Sequence, residues 1–211
     1  MTTAVKAGVM TRLKQETAEH HARAEGRALQ QRMLRGTLSR GEYAAWLGQM
    51  LLVHRALEAA VERARAGHEA LRAVTPERVH SARIEQDLRT LGVNPAEVRP
   101  IRATAALVDR IAWLGKESAA AVLGLQYVLE GSMNGNAYLA SSVRRGLGLK
   151  PGEGDRYLDP HGEAQRGKWM AFREAVDACT WTVAEADAAV EGAKAMFEGI
   201  AEVCEELMPS A

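Results

Sequence analysis

Residues 123–140 read LGLQYVLEGSMNGNAYLA. The stretch begins as an apolar helix, and Gly131 and Gly135 then interrupt it, in company with Ser132, Asn134 and Asn136. A glycine in a helix interior costs roughly 0.5–1 kcal/mol relative to alanine. Two glycines four residues apart share one face, about a turn from each other. The pattern describes a helix cleared of side chains along one stripe. Either a closely packed helix or a flat ligand can lie against such a stripe.

Outward from this stretch, the whole chain is patterned for helix. Upstream, good helix formers fill residues 10–25, and Gly26 is placed to end or bend that helix. A shorter piece over residues 27–35 stops at Gly36. Ser39 with Glu42 reads as a capping box that opens a long helix, with Tyr43, Trp46, Leu47, Met50, His54, Leu57 and Val61 along one stripe. Further helices are predicted over residues 80–91 and 104–114, and one that contains the opening stretch over residues 117–145. After the glycine-rich loop at 146–154, Asp159-Pro160 starts a helix through Trp169 and Phe172 to Val176. The last helix uses Val183, Ala186, Val190, Ala193, Phe197, Ile200, Val203 and Leu207. No strand-like alternation and no repeat appear, so the expectation is an all-α domain of about eight helices.

Composition narrows the function classes. At 211 residues the chain fits one domain over residues 10–211, with residues 1–9 weakly patterned and expected to be flexible. Lys plus Arg and Asp plus Glu are 27 each, which speaks against wholesale binding of nucleic acid or anionic membrane. Cys179 and Cys204 provide neither a disulfide framework nor a thiolate metal site, and a reduced cytoplasmic compartment is expected. No signal-peptide pattern and no uninterrupted run of about 20 apolar residues is present, so no membrane insertion is expected.

If a flat ligand lies on the glycine stripe and is haem, its iron needs an axial side chain, most often histidine. His20, His21, His54, His68, His80 and His161 are the candidates. His54 lies on an apolar stripe, where a histidine is more often a satisfied core residue. His68 sits beside a glycine at a helix end, and His80 and His161 fit ordinary surface positions at helix starts. His21 has the right company: Glu25 is one turn onward, within reach of the second ring nitrogen, and Lys14 is two turns back on the same face. Taken alone, these three also fit a solvated helix face.

Two stretches together carry a family resemblance. LKQETAEHHARAEG and LGLQYVLEGSMNGNAYLA resemble the haem oxygenase family, most of all its bacterial, biliverdin-producing members. Leu13, Lys14, Thr17, His21, Ala24 and Glu25 match the family's proximal pattern LKxxTxxxHxxAE, a register that selects His21 over His20. Tyr127, Leu129, Glu130, Gly131, Ser132 and Gly135 match the distal form YxLEGSxxG, and DPHGEAQRGKWMAF resembles the segment that follows.

The resemblance implies a haem-oxygenase-like bundle with haem between the proximal helix and a glycine-kinked distal helix. It implies that haem b is both cofactor and substrate, with iron held by His21. With O2 and external electrons, the ring opens at a meso carbon to give biliverdin, CO and free iron. The electron donor would be ferredoxin with its reductase or another reductase, and ascorbate in vitro. It further implies cofactor contacts at Lys14, His21, Glu25, Tyr127, Lys168 and Arg173, and a catalytic surface at Gly131, Ser132, Asn134, Gly135 and Asn136. Animal members carry an aspartate at the position of Gly131, so proton delivery must differ here. That departure keeps a non-catalytic haem carrier or sensor as the alternative. A di-iron oxidase finds only Glu77-x-x-His80 at suitable spacing, and a thiamine-degrading relative would need a nucleophilic cysteine in the pocket.

Overall fold

In a computed structural model that describes residues 8–209, the chain folds into nine α-helices, with no strand among the described residues. In chain order they are α1 (Val9–Glu16), α2 (Ala18–Glu25), α3 (Ala28–Arg35), α4 (Arg40–Ala64), α5 (Ser81–Thr90), α6 (Arg102–Glu117), α7 (Ala119–Leu147), α8 (Gln165–Asp177) and α9 (Val183–Leu207). Short 3-10 helices, Glu69–Ala73 and Pro76–Arg78, link α4 to α5, and another, Gly162–Ala164, leads into α8. No helix among the described residues is long and apolar enough to cross a membrane.

The predicted stripe of α4 is the buried one: Tyr43, Trp46, Leu47, Met50, His54, Leu57 and Val61 all lie in the core. Its start is fixed by the capping box, in which the Glu42 amide donates to Ser39 Oγ at 3.2 Å and the Ser39 amide to Glu42 Oε2 at 2.7 Å. The centre of the bundle is the pair α7 and α9, which α4 and α6 also pack against. Their backbones approach so closely that a Cβ on Gly124 would overlap the Ala189 carbonyl, and one on Gly192 would overlap the Ala121 carbonyl. Close helix packing thus accounts for Gly124 and Gly192.

Four boundaries differ from the periodicity. The helix expected over 10–25 is broken at Thr17 (φ −112°, ψ 6°), whose hydroxyl donates to the Leu13 carbonyl at 2.6 Å, so α1 and α2 are separate. The helix predicted to end at 114 runs on to Glu117, and Ser118 alone separates it from α7, capping that helix by accepting from the Ala121 amide. The helix expected from Asp159-Pro160 starts at Gln165. Asp159 instead closes a turn by accepting from the Gly162 amide, and Gly162 is left-handed at φ 53°. The fourth is at the N-terminus: residues 1–7 lie outside the described residues, whereas Val9 opens α1 and is buried.

Candidate functional site

On the proximal side, α1 buries Val9, Met10 and Leu13 and leaves Lys14 exposed, without an ion pair among the described residues. On α2 the two adjacent histidines have separate surroundings. The His20 Nε2 lies 3.3 Å from Glu198 and its Nδ1 is buried without a partner. His21 is 53% exposed, with Nδ1 3.4 Å from Glu25 Oε2 and its ring edge-on to Phe197 of α9 at 5.4 Å. Glu25 therefore occupies the Nδ1 side, and Nε2 remains as the nitrogen for a ligand.

On the distal side, α7 stays helical through Gly131 and Gly135. These glycines differ from Gly124. A Cβ on Gly131 would make an ordinary 3.4 Å contact with the Trp169 ring, and one on Gly135 would meet nothing within 4 Å. Helix packing therefore does not require either of them. Tyr127, one turn earlier, lies 5.8 Å ring to ring from Trp169, and burial raises its phenol while Arg173 pulls it back. Ser132 Oγ donates to the Leu129 carbonyl at 2.8 Å and Asn134 Nδ2 to the Gly131 carbonyl at 3.1 Å; both residues are exposed. Asn136 is buried instead, its amide 3.5 Å from Met133 Sδ, so it belongs to the core side of α7.

The two expected basic groups on α8 also differ. Lys168 is tied to Glu77 at 2.8 Å, while Arg173 is half-buried and makes no ion pair among the described residues. Both α2 and α7 pack on α9, which sets the proximal and distal faces in relation to each other.

The remaining histidines have other surroundings. His54 is buried with Nε2 3.0 Å from Tyr157 Oη, and burial pulls it down to about 3. His68 Nδ1 accepts from the Ala70 amide and its ring lies 4.2 Å from Trp181, so its side chain is buried against the bundle. His80, expected at the surface, is 2% exposed, because Glu58 accepts from the His80 and Ser81 amides and draws the start of α5 inward. His161 is half-buried, its ring 6.3 Å from that of His80.

A family model described as Heme oxygenase matches residues 7–206. The chain belongs to the haem oxygenase family. The heme oxygenase of Leptospira interrogans superposes with a TM-score of 0.87 at 24% identity, over 95% of this chain and 100% of that one. Heme oxygenase-2 of Synechocystis, solved in complex with heme and NO, gives 0.88 at 23% identity, over 95% of this chain and 85% of that one. A TenA homolog from Pseudomonas syringae shares the fold more distantly, at 0.73 and 13% identity over the full length of both chains. No curated protein matches the sequence.

Within this haem oxygenase fold, the structure adds a pair that sequence reasoning missed. Arg78 and Glu130 form a buried ion pair, and Arg78 further donates to the Lys168 carbonyl at 2.9 Å and the Ala73 carbonyl at 3.1 Å. A glutamate inside an apolar helix is the signal in the sequence, since buried charges are paired. Among the described residues no cluster of three or more His, Cys, Asp or Glu could hold a metal ion, so the di-iron arrangement has no counterpart there. Cys204 is buried and raised to about 11, and Cys179 is raised by burial and Glu69, so neither is an activated thiol.

Proposed function

We propose that the protein is a haem oxygenase that opens haem b at a meso carbon to biliverdin, CO and iron, using O2 and externally supplied electrons, with residues 10–211 acting as one domain. The observation that carries this reading is an exposed histidine, oriented by a carboxylate, in a family member whose α7 presents a glycine that nothing among the described residues covers. The residues fit the group: a ligating histidine needs one ring nitrogen free and the other held, and a planar macrocycle needs backbone without Cβ to lie against. The likeness to the Synechocystis protein, solved with heme and NO, supports the same ligand here.

Bound haem supplies both the iron that activates dioxygen and the ring that is opened. The protein's part is positioning. His21 offers Nε2 to the iron while Glu25 accepts from Nδ1–H, fixing tautomer and ring plane. Gly131 and Gly135 would let the α7 backbone come close to the ligand, since neither position carries a Cβ. Ser132 and Asn134, already bonded to their own helix, keep oxygen acceptors available for water beside those glycines. Asn136 bonds to Met133 within α7, and Tyr127 packs on Trp169 of α8 beside Gly131. Lys14 and Arg173 are the cations available for the propionates, and Lys168 contributes through its salt bridge to Glu77. Electrons come from ferredoxin with its reductase or an equivalent cytoplasmic donor.

The glycine at 131, where animal members have aspartate, favours one second reading: a haem carrier or sensor. Hemin mixed with the protein and treated in air with ascorbate, or with ferredoxin and its reductase, separates the two. Loss of the Soret band with growth of a biliverdin spectrum is the expected result; a Soret band that persists through many equivalents of reductant favours the carrier.

A further inference from the structure

A cleft of about 490 Å³ lies between α8 and the two 3-10 helices that link α4 to α5. Its volume falls within the range of small-ligand pockets, roughly 300–1,000 Å³. One wall is the outer side of α8 and the turn after it, where Ala171, Ala175 and Cys179 follow at four-residue spacing. All three side chains are small, so a flat body can lie along this wall. Phe172, 1% exposed, is the base, and Arg72 and Thr75 stand on the opposite wall.

The charged groups around the cleft have partners, with one exception. Arg78 pairs with Glu130 and donates to the Ala73 and Lys168 carbonyls. Glu77 is tied to Lys168 at 2.8 Å. Glu69 accepts from the Thr180 amide at 2.8 Å and stands beside the Cys179 thiol. The Arg72 side chain is exposed and makes no ion pair or hydrogen bond among the described residues. A free guanidinium above an apolar base selects a ligand with an anionic end and an apolar body, and its planar fork matches a carboxylate. The Thr75 hydroxyl, three residues on and likewise unbonded among the described residues, is a second donor. Phe172 is fixed as the base, with Arg78 5.1 Å over its ring and Trp169 stacked on it at 5.8 Å.

We propose that this cleft is a second small-molecule site, which takes a flat arene carboxylate. Arg72 and Thr75 hold the carboxylate, and the arene lies over Phe172 against Ala171 and Ala175. The site is separate from the glycine stripe of α7. Trp169, whose ring faces Gly131, stacks on Phe172 and is not a wall of the cleft, nor are His21, Lys14 or Tyr127. The proposal therefore stands whether or not the protein consumes haem.

Naphthoate and its neutral isostere naphthamide are the probes, titrated into the protein by calorimetry. Alkylation by iodoacetamide, read by mass spectrometry, reports the cleft directly, because Cys179 lines it while Cys204 is buried and serves as the control. Naphthoate should bind at a single site, slow the alkylation of Cys179, and bind about tenfold or more tightly than naphthamide. Arg72→Gln should melt like the wild type, since that side chain has no partner to lose, and should bind the two probes equally weakly. Ala175→Leu fills the cleft from an exposed helical position and should bind neither probe; Ala171→Leu takes its place if that variant does not fold. Hemin bound beforehand should leave naphthoate affinity unchanged. Absence of naphthoate binding, unaltered Cys179 alkylation, undiminished affinity in Arg72→Gln, binding retained in the filled variant, or displacement by hemin would each overturn the proposal.

Discussion

Adjacent histidines on a helix point about 100° apart, and here that angle gives the two different surroundings. His20 leans on Glu198, while His21 stands exposed with Glu25 behind it. His21→Ala should abolish the histidine-ligated hemin spectrum and His20→Ala should leave it, with visible spectra of the reconstituted variants as the check. The reverse outcome would shift the proximal register by one residue. Burial also sets a residue-scale pH response. His54 and His80 are held neutral, pulled down to about 3 and about 2, whereas in the unfolded chain they titrate near the ordinary value of 6.5. Below about pH 6.5 the unfolded chain binds protons that the folded chain refuses, so their contribution is full above that pH and is lost as pH falls. Each histidine contributes a slope of about 1.4 kcal/mol per pH unit. Asp87, raised by burial, works in the opposite sense within the carboxylate range. Urea midpoints should therefore fall between pH 6 and 4, and His54→Gln should flatten that fall by about one proton; an unchanged slope would count against a neutral buried His54.

At the scale of the element, α7 carries glycines of two kinds. Gly135→Ala adds a methyl group into open space on a helix, so the haem-free protein should gain roughly 0.5–1 kcal/mol, while hemin affinity and ring opening fall. Gly124→Ala drives a methyl group into the Ala189 carbonyl and should destabilise by about 1–3 kcal/mol or more. Chemical denaturation of both variants checks the opposite signs. Sequence alone could not sort these glycines, because spacing marks a bare stripe without saying what lies on it. Local features were legible: the Ser39–Glu42 cap and the α4 stripe depend on neighbours within a turn or two. The break at Thr17, the burial of His80 and the Arg78–Glu130 pair were not, since each depends on a side-chain choice or on partners far along the chain. Asn136 shows the same limit, sharing a motif with Asn134 while lying on the core side of the helix.

For the whole molecule, a ligand that binds the folded chain alone stabilises it by mass action, about 2.7 kcal/mol at a hundredfold excess over Kd. Hemin should raise the melting temperature by several degrees, and His21→Ala should erase most of that rise. An equal rise in the variant would place hemin elsewhere. Fold alone does not fix the reaction, as the shared architecture of a TenA homolog illustrates. The central claim is that this member of the haem oxygenase family consumes its haem. The most direct measurement is product stoichiometry: one equivalent of hemin on the protein, excess ascorbate in air, biliverdin quantified by chromatography and iron by a ferrous chelator. Close to one biliverdin and one iron should be released per haem. Intact haem recovered from the protein, or haem lost without biliverdin, would contradict it.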